Sequence, residues 1–242
     1  METNINRIEA VILAAGVGKR IQKPGQVKAL LSIGNKPMIC WVIDALIKCN
    51  INKIWIVKFY SDDFSIIDEI YKSSEVTIEY INDFKRLGSL YSFSIINTYV
   101  SDSFICVDCD LFIETNSFCK MIHEGIDKVS DTDCIGVMAL VTSPSREDSN
   151  MLLIKDKYVT RFIKNGSEEC MRGGYVYIWK KQIFNYISMF FEQNCFSLSQ
   201  YYDFIATNKL IDTMLINDLW DIDTPSDVEV ANSILESRIG KK

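Results

Sequence analysis

Four aspartates arrive in two pairs, Asp108/Asp110 in FICVDCDLF and Asp221/Asp223 in LWDIDTPSD, with a spacing of two in each. In extended chain that spacing turns both carboxylates to one side. Two such acids repel unless water solvates them or a cation bridges them, so a hard divalent metal is their natural partner. A strand-end turn with solvated acids gives the same residues, and the pairs alone do not separate the two readings. A second chemical cluster lies near the start, where Leu13-Ala14-Ala15-Gly16 runs through Val17-Gly18 to Arg20 and then Lys28. Small residues there let backbone N–H groups approach an anion closely, and a guanidinium fork plus an ammonium point charge suit a polyphosphate. The loop is neither GxGxxG nor a Walker A, since no GK[ST] follows. An ordinary strand-to-helix turn carrying two surface cations would also fit that spacing.

Both clusters need strands to deliver them. Residues 9–14 (EAVILA) read as a short buried strand, and Pro37 opens a helix whose Ile39, Val42, Ile43, Leu46 and Ile47 follow the 3.6 period. Ile54–Phe59, Val76–Ile81 and Phe104–Phe112 read as further strands. The helices between them are Ser61–Lys72, with Ser61 as N-cap, and Ser89–Tyr99. This strand–helix alternation predicts an α/β fold: a Rossmann-like three-layer domain with a mainly parallel, mixed central sheet. In the second half, Cys134–Val141 extends the sheet, and Met151–Lys155 with Tyr158–Ile163 forms a hairpin across Asp156-Lys157. Gly173-Gly174 leads into the strand YVYIW. Helices follow at Gln182–Phe191 and Ser199–Ala206, then a strand at Thr213–Ile216. Thr224, Pro225 and Asp227 supply N-cap, first position and an acid at N3 for a last helix. With no repeat or linker, one domain is expected over 1–242.

Composition removes several alternatives. The chain has 242 residues, 26 basic against 32 acidic, for a net charge of −6, which is not the footprint of a nucleic-acid binder. The only histidine, His123, excludes multi-histidine zinc sites and reads as structural. Eight cysteines at scattered positions, among them Cys40, Cys49, Cys106 and Cys134, read as reduced buried thiols and hence a reducing cytosol. Cys106 and Cys109 lie three apart in a strand and face opposite sides, which argues against zinc. The polar opening METNINRIEA predicts no secretory leader, and no run approaches the ~20 apolar residues of a membrane span, so a cytoplasmic protein is expected.

The stretch LAAGVGKR, Lys28, then GNKPMI before an amphipathic helix, resembles the nucleotidyltransferases that make activated sugars and alcohols, whose pattern is LAAGxGxRxxxxxxPKxLxxxxGxPLI. Leu13 to Gly16, Gly18, Arg20, Lys28, Leu30, Gly34 and Pro37 match position for position; Val27 stands where most members carry proline. The closing WDIDTPSD is similar to the family's W-x-D-[IV]-D-T-x-x-D, shortened by one residue. The segment from Asn82 through Gly88-Ser89-Leu90-Tyr91-Ser92 resembles the cytidylyltransferases that act on inositol phosphate or phosphocholine.

The resemblance implies a fold of the nucleotidyltransferase and GT-A kind, with a nucleotide-binding half over about 1–114 and an acceptor half over about 115–242. It implies transfer of a nucleotidyl group, CTP favoured, to a small phosphorylated acceptor with release of pyrophosphate. By it, Asp110 and Asp223 hold Mg²⁺, or Mn²⁺ in its place, and Arg20 and Lys28 are catalytic. Leu13, Ala14, Ala15, Gly16, Gly18, Asn82, Gly88, Ser89 and Asp108 meet the nucleotide, while Arg172, Gly173 and Asp221 meet the acceptor. Tyr175, Tyr177 and Trp179 fit either a cation–π cage for a choline-like head or ordinary strand packing. The alternatives are a guanylyl- or uridylyltransferase, a GT-A glycosyltransferase, a molybdopterin nucleotidyltransferase and a silent nucleotide-binding module. Neither nucleic acid nor membrane is an expected partner, and a homodimer is compatible with the reading.

Overall fold

The computed structural model describes residues 8–18, 20–21, 26–113, 115–141, 150–164, 170–217 and 219–239; Lys19 and residues 22–25 of the glycine-loop motif lie outside them. The strands are β1 (Glu9–Leu13), β2 (Ser32–Ile33), β3 (Lys36–Pro37), β4 (Lys53–Phe59), β5 (Thr77–Asp83), β6 (Ser103–Asp108), β7 (Leu111–Ile113), β8 (Gly136–Val141), β9 (Asn150–Lys155), β10 (Tyr158–Lys164), β11 (Met171–Lys180), β12 (Ile211–Ile216) and β13 (Leu219–Asp221). The helices are α1 (Met38–Lys48), α2 (Ser65–Tyr71), α3 (Ser89–Ser94), α4 (Thr115–Asp131), α5 (Ile187–Glu192), α6 (Leu198–Asn208) and α7 (Pro225–Ile239).

Nine strands form one mixed sheet in the order β5-β4-β1-β6-β11-β8-β12-β10-β9. Its first four strands run parallel, as the strand–helix alternation requires. β11 enters antiparallel between β6 and β8, so the sheet continues from one half of the chain into the other. Alternate residues of β1 face opposite layers. Ala10 and Ile12 join a core with Ile39, Val42 and Leu46 of α1 and Phe118 and Ile122 of α4. Val11 joins Leu90 and Phe93 of α3 and Tyr201, Tyr202 and Ile205 of α6 on the other side. Cys109 and Cys106 divide between these same two cores, Cys109 lying just past the end of β6.

Five expectations need correction. The Ser89–Tyr99 helix is α3 over Ser89–Ser94 followed by a 3₁₀ turn over Ile95–Thr98. Helix α2 begins at Ser65, not Ser61, because Phe59 is followed by a turn in which Asp62 N–H bonds the Phe59 carbonyl. The 182–191 helix is a 3₁₀ turn over Lys181–Phe184 followed by the short α5. Phe104–Phe112 is not one strand: the chain leaves the sheet after Asp108, and β7 pairs antiparallel with β13 in a separate ribbon. Cys49, read as a reduced thiol, is joined to Cys119 by a disulfide, since the C-cap of α1 packs on the first turns of α4 with 5.1 Å between the Cα atoms. The hairpin across Asp156 and Lys157 is present, both residues taking the positive φ of a tight two-residue turn. His123 is structural, its Nε2 lying 3.2 Å from the Cys49 carbonyl. Among the described residues no helix is long and apolar enough to cross a membrane.

Candidate active site

The sheet reverses its winding between β1 and β6, whose C-terminal ends lie side by side with Leu13 opposite Asp108. Such a switch point opens a crevice at the strand ends where ligands bind. Here it holds a cleft of about 630 Å³. The cleft is lined by Leu13, Ala15, Gly16, Gly18, Arg20, Lys28, Gly88, Ser89, Asp108, Asp110, Asp221 and Asp223 among the residues singled out above. Four residues given a role in the nucleotide or acceptor site do not line it. Ala14 packs into the core with its N–H on the Val57 carbonyl, and Asn82 is exposed on the edge strand β5. Arg172 and Gly173 are buried in β11 beside β8.

The ribbon brings the two aspartate pairs together. Leu111 pairs with Asp221 in its register, and the Ile222 N–H donates to the Asp110 carbonyl at 2.8 Å. Apolar side chains fix the ribbon from behind: Phe112 meets Trp41 and Trp220 at ring-centroid distances of 5.0 and 5.7 Å, in a third core with Ile222 and Ala231 of α7. Asp110, Asp221 and Asp223 then offer one carboxylate oxygen each, all within 4.8 Å of one another. Asp227 caps α7, its carboxylate accepting from the N–H groups of Asp223 and Thr224 and from the Thr224 hydroxyl.

Cations close on these acids from the glycine loop. The Lys28 ammonium donates to Asp110 at 2.5 Å and to Asp223 at 2.6 Å, and Arg20 donates to Asp223 at 2.9 Å. Gly18 must be glycine: it has φ +63°, and a Cβ there would stand 2.7 Å from the Lys28 Cβ. Burial works against the charge of Lys28, but Asp110 and Asp223 outweigh it and hold its pKa above the ordinary lysine value. Burial also opposes the Asp223 charge, and there the Lys28 hydrogen bond and the Arg20 charge prevail and lower its pKa. Asp221 is different. Burial and the neighbouring Asp110 and Asp223 push its pKa up to about 7 against the opposing pull of Arg172, which donates to it at 3.3 Å. Burial and the same acidic neighbours raise Asp108 well above the usual carboxylate range.

Two residues at the cleft have no role assigned to them by the sequence pattern. Arg86 donates from Nε to the Ala15 carbonyl at 3.0 Å, pairs with Asp62 at 3.1 Å and lies over the Phe59 ring at 4.0 Å. Asp83 holds the loop that presents it, accepting from the N–H groups of Lys85 and Arg86 and from the Ser92 hydroxyl. Their position after a parallel strand, at the ligand edge, is the one signal that marks them in sequence. Gly88 and Ser89 are joined to the other half of the chain: Leu198 N–H donates to the Ser89 hydroxyl, and Leu90 N–H to the Phe196 carbonyl. Gly88 has φ +151°, and a Cβ would come within 2.6 Å of that carbonyl. The far wall is Tyr175, Tyr177 and Tyr202, with Leu198 and Ser199. Trp179 is wholly buried and stacks on Tyr177, so it belongs to the core and not to a cage.

Residues 10–158 match the model of the MobA-like NTP transferase domain. The chain belongs to that family. Over 114 residues it is 31% identical to a choline-phosphate cytidylyltransferase of Haemophilus influenzae, covering 46% of this chain and 47% of the relative. Over 173 residues it is 25% identical to the bifunctional protein GlmU of Methanococcus vannielii, covering 66% of this chain and 40% of that one. The matched segments thus span less than half the length of either relative. The fold is that of the inositol-1-phosphate CTP transferase from T. maritima, with a TM-score of 0.81, 18% identity and coverage of 97% of this chain and 98% of the other.

Proposed function

We propose that this family member is a nucleotidyltransferase that joins an NTP to a phosphorylated sugar, polyol or small alcohol, with CTP the favoured nucleotide, and that the whole chain acts as one catalytic unit. The observation that carries the reading is the convergence of Arg20 and Lys28 with Asp110, Asp221 and Asp223 at the mouth of the glycine loop. A phosphate monoester is largely a dianion near pH 7, with a second pKa of ~6, and attacks without a general base. An acceptor oxygen forms a bond to the α-phosphorus as the bond to the bridging oxygen breaks, and pyrophosphate leaves. Backbone N–H groups of the Gly16–Gly18 loop and Arg20 hold the outer phosphates, and Lys28 draws charge from the α-phosphate. The three carboxylates suit a hard cation, and Mg²⁺ held by them would supply Lewis-acid charge stabilisation to the transfer.

The choice of CTP rests on the likeness to the choline-phosphate and inositol-phosphate relatives and on the slot between the glycine loop and the start of α3. The Ala15 carbonyl already takes one hydrogen bond, from Arg86, which leaves its second lone pair for an exocyclic amino group. Uracil, with an acceptor at that position, would leave a buried group unpaired at a cost of about 1–3 kcal/mol. The test is pyrophosphate release from the four NTPs against sugar, inositol, choline and aminoethyl phosphates. The expected outcome is CTP ahead of UTP by at least about ten-fold in kcat/KM, with purine nucleotides weaker. Equal rates with CTP and UTP would remove the base assignment alone. No pyrophosphate release from any of the four NTPs, or transfer from a preformed nucleotide-sugar instead, would remove the reaction.

A further inference from the structure

We propose, on the basis of that reading, that Lys28 keeps the metal's place: its ammonium ties Asp110 and Asp223 together in the nucleotide-free protein and yields them only when a nucleotide's phosphates offer it another partner. The same two carboxylates that would grip a divalent ion each already hold Nζ, at 2.5 and 2.6 Å. Arg20 takes the second oxygen of Asp223. Of the three clustered carboxylates, Asp221 is the one that Lys28 does not touch, and Arg172 holds it. A dication entering this set would sit beside an ammonium on shared ligands, and the two repel at short range between largely buried side chains. The lysine stem passes so close to Gly18 that a Cβ there would stand 2.7 Å from its Cβ, while its ammonium lines the cleft. A polyphosphate on the Gly16–Gly18 loop arrives there, gives Lys28 and Arg20 anionic partners and frees the carboxylates. Metal and nucleotide therefore bind with positive coupling, each raising the affinity of the other. The ammonium also keeps the clustered acids from repelling one another before substrate arrives.

The experiment is Mn²⁺ binding to the full-length, nucleotide-free protein, read from the free-Mn²⁺ signal by electron paramagnetic resonance. Wild type should bind weakly. Lys28→Met, which removes the charge and keeps the length, should bind at least about ten-fold more tightly. Lys28→Arg should stay as weak as wild type, because the charge persists. Adding Asp223→Asn to Lys28→Met should abolish the gain. Lys28→Gln is the second neutral variant, and circular dichroism checks that each variant is folded. A purely structural lysine would leave Mn²⁺ affinity unchanged or lower it. Neutral variants that bind Mn²⁺ no more tightly than wild type overturn the proposal. Turnover of NTP by wild type is scored separately: turnover without the affinity gain sinks the placeholder and spares the reaction, and the gain without turnover does the reverse.

Discussion

The two walls of the cleft are built in opposite ways. The glycine-loop wall is local: β1 ends, the chain turns through Gly16 and Gly18, and Lys28 returns within fifteen residues of Leu13 to pack on the loop it follows. The carboxylate wall is assembled from positions more than a hundred residues apart, by a three-residue ribbon backed by Phe112, Trp41 and Trp220. The first wall carries positive charge with its counter-charges supplied by the second. The second holds four acids, of which Asp223 is kept ionised by cations while Asp108 and Asp221 are driven toward neutrality by burial. The difference teaches that a locally built cationic loop and a distantly assembled acidic ribbon meet charge for charge across the cleft.

Substitutions that neutralise one wall test this most severely. Asp223→Asn should lower kcat by more than about 10³-fold, because an amide is a poor ligand for a hard cation and Arg20 and Lys28 lose their shared anchor. Asp110→Asn should do nearly the same, with circular dichroism unchanged in both. Near-wild-type turnover in either variant would break the pairing of the two walls. On the other wall, Lys28→Ala should reduce kcat by roughly 10²–10³-fold, the scale for one preorganised charge stabiliser. Lys28→Arg should recover little of it, since a planar fork does not replace a point charge. A raised KM with unchanged kcat would move Lys28 to uniform binding.

The seam that ties the start of α3 to the second half of the chain is tested next. Gly88→Ala puts a methyl against the Phe196 carbonyl at a φ of +151°. It should cost about 1–3 kcal/mol in urea denaturation, and an unchanged midpoint would show that the seam between α3 and the start of α6 bears no strain. The smallest effect is on pH dependence. Asp221 is pushed up to about 7, above its unfolded value of about 3.9, so the folded chain binds more protons between those values. Its contribution to stability is present at low pH and lost as the pH rises toward 7. Thermal midpoints of the metal-free protein should therefore fall from pH 5 to pH 8, and Asp221→Asn should flatten that slope. A slope unchanged by the substitution would assign it to another group.

What the sequence determines is whatever depends on near neighbours. The 3.6 period of Ile39, Val42, Ile43 and Leu46 places α1, the alternation of strands and helices gives the parallel half-sheet, and small residues after β1 mark a loop that can approach phosphate. The two-residue turn at Asp156-Lys157 is legible for the same reason. Tertiary structure alone decides the rest. Phe104–Phe112 reads as one apolar run because Leu111, Phe112 and Ile113 are as buried in the ribbon as Phe104 to Val107 are in the sheet, and burial does not record which sheet a residue joins. Asn82 and Asp83 are adjacent in sequence, yet strand alternation exposes one and buries the other, so the residue that holds the cleft loop is the neighbour of the one the motif suggests. Arg172 and Asp221 meet across the fold, as do Cys49 and Cys119, because side chains distant in the chain come into contact only when layers close over a shared core. Local geometry is written in spacing; the meeting of charges across the cleft is fixed by the packing of the layers that carry them.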